Sequence, residues 1–292
     1  MAGTYKHVRS FQGRTALDLL SSHQTAGISE AALRQLKGSA EVGVLLGRVH
    51  HDMAQYVEAE QCFHSVLRHH PTTMEGMDVF SLVLFHLNRQ ERLSALAQEL
   101  SSIDSDAVET HIAIGNLFSL NASPSIALRS FRRACLSAPG YAYSFTLAGH
   151  ECLALNQPLK ALRFFREAIR IDPRHWNGWS GIASILATED KFDEARLAIN
   201  RACSLNRFNS GLWEVMGLLN EQKEDYGVAL GAYSEALAYN PKSSSACLRR
   251  AELLWKTGKF ELAHSAFLQV VALLPSEPRA HLLLAESYMR KG

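Results

Sequence analysis

The sequence predicts an all-α solenoid: antiparallel helix pairs stacked into a right-handed superhelix. Three observations predict it: small and aromatic residues that recur every 34 positions, prolines confined to fixed points of that period, and no insertion between periods. From Gly115, offsets of 12, 16, 19 and 24 reach Ala127, Phe131, Ala134 and Pro139; from Gly149 they reach Ala161, Phe165, Ala168 and Pro173. The same offsets give Ala229, Tyr233, Ala236 and Pro241 from Gly217, and Ala59, Phe63, Val66 and Pro71 from Gly47.

Taken in order, residues 1–39 hold a partial amino-terminal helix B (Thr15-Ala-Leu-Asp-Leu-Leu) and a linker rich in Ser, Gly and Ala. Seven whole repeats then fill 40–277, starting at 40, 74, 108, 142, 176, 210 and 244. Residues 278–292 supply a partial eighth repeat, helix A alone. Position 8 is Gly47, Ser81, Gly115, Gly149, Ala183, Gly217 and Ala251, and position 20 is Ala59, Leu93, Ala127, Ala161, Ala195, Ala229 and Ala263. Small residues are required there because helix A crosses closely over helix B. Pro71, Pro139, Pro173, Pro241 and Pro275 occupy position 32 and end helix B; Pro124 and Pro158 occupy its first turn, where proline is tolerated. This is the tetratricopeptide-repeat (TPR) pattern. One such unit is too small to fold alone, so stability comes from stacking.

Composition excludes several function classes. Apolar residues make up 47% and charged residues 20%, and 30 Lys and Arg balance 29 Asp and Glu, so nothing calls for nucleic acid or a membrane surface. No signal-peptide core and no stretch near 18 uninterrupted apolar residues occurs; the expectation is a soluble, intracellular chain. The five cysteines lack any C-x-x-C spacing and read as small buried residues without disulfide or metal. No phosphate-loop, dinucleotide, zinc-protease or nucleophile-elbow motif is present, so neither an enzyme nor a cofactor is expected. His50–His51 and His69–His70 point away from each other on a helix and read as surface or capping residues.

Binding is left. With framework positions 4, 7, 8 and 11 packed inward, helix A positions 2, 5, 9 and 12 are expected to face the concave groove. They give Glu75 and Asp78, then Glu109, Ile112, Asn116 and Ser119, then Tyr143, Thr146 and His150, then Asn177, Ser180 and Ser184, with Glu214, Glu221 and Glu252 farther on. Asn116 can donate to and accept from a peptide backbone, while Glu75, Asp78 and Glu109 suit a guanidinium. A basic stripe, Lys160, Arg163, Arg166, Arg170 and Arg174 with Arg129, Arg132 and Arg133, reads either as a solvated convex face or as a docking surface for an acidic partner.

Gly115-Asn-Leu-Phe-Ser-Leu, Tyr141-Ala-Tyr, Leu147-Ala-Gly-His-Glu and Asp172-Pro-Arg-His-Trp-Asn-Gly-Trp make the reading more specific. With Leu46-Gly-Arg and Glu75-Gly-Met-Asp-Val-Phe-Ser, they resemble the carboxy-terminal repeats of subunit three of the anaphase-promoting complex, the cell-division-cycle protein twenty-seven family. The resemblance implies a non-catalytic scaffold of an E3 ubiquitin ligase acting in cell-cycle ubiquitination. Its partners would be other subunits of the complex and the C-terminal Ile-Arg tails of coactivators or core subunits. Asn116 and His150 match family positions lining the tail groove. The family's dimerising amino-terminal repeats have no counterpart here, and the second repeat departs from consensus with Ser81, Leu93 and Ala97. Two alternatives stand beside this: a scaffold subunit of the same complex without a tail pocket, and a TPR co-chaperone clamping an acidic tail. The second would need several groove lysines and arginines, whereas Arg48 and Lys256 stand isolated.

Overall fold

The computed structural model describes residues 39–291, so the helix expected near residues 15–20 and its linker lie outside the described residues. Fifteen α-helices and no strand occur among the described residues. They alternate as A and B partners: α1 (Ala40–Asp52) with α2 (Tyr56–His69), α3 (Met77–His86) with α4 (Gln90–Ile103), and α5 (Val108–Leu120) with α6 (Pro124–Ser137). Then come α7 (Ala142–Ala154) with α8 (Pro158–Ile171), followed in the sequence by α9 (Trp176–Thr188) and α10 (Phe192–Leu205). The last are α11 (Ser210–Gln222) with α12 (Tyr226–Tyr239), α13 (Ser244–Lys256) with α14 (Phe260–Leu273), and finally α15 (Pro278–Lys291). The chain forms two compact units that divide inside α9, one ending at Ile185 and the other starting at Leu186.

The recurring residues pack as their types require. Every position-20 side chain, Leu93 included, is fully buried, and Phe63, Phe165, Tyr233 and Phe267 at position 24 are equally closed off. A Cβ on Gly115 would lie 2.3 Å from the Phe131 ring, and one on Gly149 would lie 2.7 Å from Phe165. Position 8 is thus small because the aromatic of position 24 lies flat against that backbone, a more specific reason than helix crossing alone.

The turn from A to B is the same in every hairpin. Ala54, Asn88, Ala122, Asn156, Asp190 and Glu224, with Gly258 last, adopt φ between 51° and 75°, the left-handed region. The residue after each donates its N–H in a hydrogen bond to a carbonyl five residues back, as in Ser123 N–H to Phe118 O at 2.9 Å and Gln157 N–H to Cys152 O at 2.8 Å. This satisfies carbonyls that the end of helix A would otherwise leave open. Six of the seven turns make this conformation without glycine.

Cys135, Cys152, Cys203 and Cys247 are buried, and all five cysteines are free; Cys62 departs from expectation in being only half-buried. His51 also departs: it is buried at the end of α1, with Nδ1 3.3 Å from Asp52, rather than lying at the surface.

Candidate functional site

The residues expected in the groove divide sharply by accessibility. Glu75, His150 and Ser184 are exposed, Glu109, Ser119 and Asn177 are half-buried, and Asp78, Ile112, Asn116, Tyr143 and Thr146 are buried. The rule that position 5 faces the groove therefore fails in three consecutive repeats, at Asp78, Ile112 and Thr146. This position falls in the seam between neighbouring A helices. Asn116 is also withdrawn from solvent, its amide donating to Ser81 Oγ at 2.8 Å, so it does not stand open as a free peptide clamp. Ser119 donates to Glu151 at 2.6 Å, Ser184 to the carbonyl of Ser180 at 3.1 Å, and the His150 ring meets Phe165 edge-on at 5.1 Å.

Within the first unit, four segments converge on a cavity of about 320 Å³. The end of α1 supplies Arg48, His51 and Asp52; α3 supplies Val79; the start of α7 supplies Tyr141 and Tyr143; and the entry to α9 supplies Asp172, His175 and Asn177. Of the expected groove residues, Tyr143 and Asn177 line it directly. Asp78 and Thr146 support it from behind. Tyr141 donates its hydroxyl to Asp78, and Thr146 Oγ1 lies 3.3 Å from His175 Nε2. The rings of Tyr143 and His175 meet edge-to-face at 5.9 Å.

Two polar atoms of this lining are buried without a hydrogen-bond partner: Arg48 Nε and the Tyr143 hydroxyl. Unsatisfied buried groups are costly and uncommon, and here two donors of one cavity are left open. Burial pushes the Tyr143 and Tyr141 hydroxyls far above the usual phenol range, with the Asp78 carboxylate adding to both, so each stays protonated as a donor. Burial raises Glu109 as well, assisted by Asp78 and opposed by Arg48, which places all three in one electrostatic neighbourhood. Burial pushes His175 down to about 4, with Asp172 and Asp52 pulling the other way, so it is neutral near pH 7. His86 and His150 are displaced in the same direction, but their side chains are exposed and water tempers the shift.

Arg48, at position 9 of the first repeat, is the isolated groove arginine of the sequence, whereas His51, at position 12, reads from the sequence as a surface or capping residue. Tyr141 and His175 are harder to find, since both sit at position 34, in the loop before helix A.

Tetratricopeptide-repeat family models match residues 146–210 and 222–287. The "Anaphase-promoting complex subunit 3" of Schizosaccharomyces pombe is 32% identical over 248 residues, covering 84% of this chain and 37% of that protein. "Cell division cycle protein 27 homolog B" of Arabidopsis thaliana is 29% identical over 247 residues, covering 85% of this chain and 33% of that protein. Over most of its length the chain is a relative of the cell division cycle protein 27 proteins. "Protein bimA" of Emericella nidulans is a further relative, 37% identical over 167 residues, covering 57% of this chain and 21% of its own length. The chain thus spans between 21 and 37% of the length of these three relatives. A chain from the crystal structure of the APC/C hetero-tetramer Cut9-Hcn1 superposes with a TM-score of 0.49 at 13% identity, over 94% of this chain and 58% of that one; the likeness is too distant to bear on function.

In this cell division cycle protein 27 relative, the family-model matches begin at the fourth repeat, while the cavity draws on each of the first five. No helix among the described residues is long and apolar enough to cross a membrane. No cluster of three or more His, Cys, Asp or Glu that could hold a metal ion occurs among them either.

Proposed function

We propose that this chain is a non-catalytic scaffold segment of an anaphase-promoting complex E3 ubiquitin ligase. In this reading it takes the C-terminal Ile-Arg tail of a coactivator or core subunit in the cavity of its first unit, in cell-cycle-regulated ubiquitination. Relatedness to subunit 3 proteins supports the scaffold part. The observation that carries the tail-binding part is the pair of unpartnered buried donors, Arg48 Nε and the Tyr143 hydroxyl, in one cavity. A terminal carboxylate is the acceptor that would satisfy both, through charge-assisted bonds. The ligand guanidinium then falls among carboxylates. Asp172, whose Oδ1 also accepts the Arg174 N–H at 2.9 Å, lines the cavity, and Glu109 lies near Arg48. At about 320 Å³ the cavity is at the lower end of the ~300–1,000 Å³ typical of ligand sites, which suits a two-residue chain end.

The test is titration of a fluorescent peptide ending in Ile-Arg against the purified chain. Converting the peptide carboxylate to an amide should weaken binding by about tenfold or more, as loss of a charge-assisted bond does. Arg48→Met should remove the distinction between acid and amide, and Glu109→Lys should weaken only peptides that retain the arginine. Equal affinity for acid and amide would leave a scaffold without a tail pocket. A preference for a tail of acidic residues would instead support the co-chaperone alternative.

A further inference from the structure

The exposed faces of α6 and α8 carry a block of positive charge that tail binding does not use. On α6, Arg129, Arg132 and Arg133 are exposed; on α8, Lys160, Arg163 and Arg166 are exposed. Among the described residues none of the six forms an ion pair; the acid on these two helices, Glu167, is taken by Arg170 at 2.5 Å. Spacings of three and four residues keep each set on one side of its helix. The two helices pack about α7 in one core, in which Phe131 of α6, Leu147 of α7 and Phe164 of α8 are members. Burial raises the Cys152 thiol of α7, and Lys160 and Arg132 both pull it the other way, so one charge of each set lies near that helix.

The block is local rather than a general property of B helices. Arg129 and Arg163 share position 22, and Arg132 and Arg166 share position 25. Elsewhere position 22 is Gln61, Ala95, Leu197, Gly231 or Ser265, and position 25 is His64, Gln98, Asn200, Ser234 or Leu268. A face that only needed solvation would not confine its arginines to two adjacent repeats of a chain whose formal charge is +1. Aliphatic side chains border the charges: Leu159 at the start of α8 is 71% exposed and Leu136 near the end of α6 is 80% exposed. Both aromatics at position 24, Phe131 and Phe165, are buried, so the block offers no ring on which a nucleic-acid base could stack.

We infer that the paired faces of α6 and α8 dock an acidic protein segment, one rich in Asp and Glu with aliphatic side chains that cover Leu136 and Leu159. Arginine forks at equal positions on the B helices of adjacent repeats present two rows of donors for carboxylates. The aliphatic borders add apolar area that a purely ionic contact lacks.

The experiment uses the full chain and a fluorescein-labelled fifteen-residue peptide of alternating Glu-Glu-Leu and Asp-Asp-Leu units, followed by anisotropy. Arg132→Glu/Arg166→Glu should weaken binding by about tenfold or more, and affinity should fall steeply as salt rises. Arg207→Glu/Lys242→Glu, a reversal of two exposed charges in the second unit, should leave affinity unchanged. Leu136→Ser/Leu159→Ser, which alters no charge, should weaken binding severalfold. Matching circular dichroism and melting curves keep folding out of the comparison. The inference is overturned if the two charge reversals act alike, or if the peptide does not bind at physiological salt. It is overturned equally if single-stranded RNA binds the α6–α8 block more tightly than the peptide.

Discussion

Asn116 of α5 donates its side-chain amide to the hydroxyl of Ser81 on α3, 2.8 Å away in a buried seam. Ser81 in turn donates to the carbonyl of Asp78 at 2.6 Å. This explains the unusual serine at position 8: it is the acceptor for an asparagine of the next hairpin. Asn116→Ala should therefore destabilise the protein by about 1–3 kcal/mol, the usual cost of stranding a buried polar partner. A urea melt should show a lower midpoint with an unchanged slope. Adding Ser81→Ala should cost less than a second independent loss, since the two positions form one network. An unaltered midpoint for Asn116→Ala would show that the amide is dispensable to the fold.

Tyr143 separates binding from folding. Its hydroxyl is buried and unpartnered, so Tyr143→Phe removes an unsatisfied group and should leave stability equal or raised by up to ~1 kcal/mol. Affinity for a peptide ending in Ile-Arg should nonetheless fall severalfold, because the hydroxyl is assigned to the terminal carboxylate. A phenylalanine variant that melts higher and binds as tightly would move the tail site elsewhere.

Left-handed turns give two substitutions of opposite sign. Ala122 holds φ at 51°, a conformation that costs an L-residue roughly 1–2 kcal/mol, so Ala122→Gly should stabilise, by up to about 1 kcal/mol after the greater unfolded-state freedom of glycine is subtracted. Gly258 holds φ at 75°, and a Cβ there would meet nothing nearer than Phe260 at 3.9 Å. Gly258→Ala should thus destabilise through backbone strain alone, by about 1 kcal/mol. Thermal melts of the two variants should shift in opposite directions.

Stability should also fall on mild acidification. Burial lowers His175 from its ordinary 6.5 to about 4, so between those values the unfolded chain binds more protons than the folded one. The stabilisation is complete above pH 6.5 and is lost as pH drops towards 4. His175→Gln should flatten this slope when urea midpoints at pH 7 and pH 5 are compared. An unchanged slope would mean that the imidazole remains solvated.

The periodic parts of this molecule were legible because each repeat answers the same packing problem. Gly115, Ala127 and Phe131 announce a hairpin wherever they occur in that order, since an aromatic lying on a bare backbone tolerates few alternatives. The cavity was less legible because it combines residues from segments up to 129 positions apart, Arg48 with Asn177. Tyr143 and Asn177, which periodicity puts at the same position 2, both line the cavity. Periodicity could not show that position 5 turns into the seam between A helices, which buried Asp78 and Thr146. Nor could it find Tyr141 and His175, which sit in loops whose direction depends on the stacking of whole hairpins.

The hydroxyl of Tyr141 reaches the carboxylate of Asp78 across 63 residues of sequence, fastening the α7 hairpin to the α3 hairpin past the one between them. A solenoid held only by adjacent contacts can come apart one hairpin at a time, each step independent of the hairpin after next. Here α3, α5 and α7 are tied by a strap as well as by their shared faces. Breaking the middle of the stack means undoing all three together, so their amides should exchange with solvent as one block while those of α15 exchange early and alone.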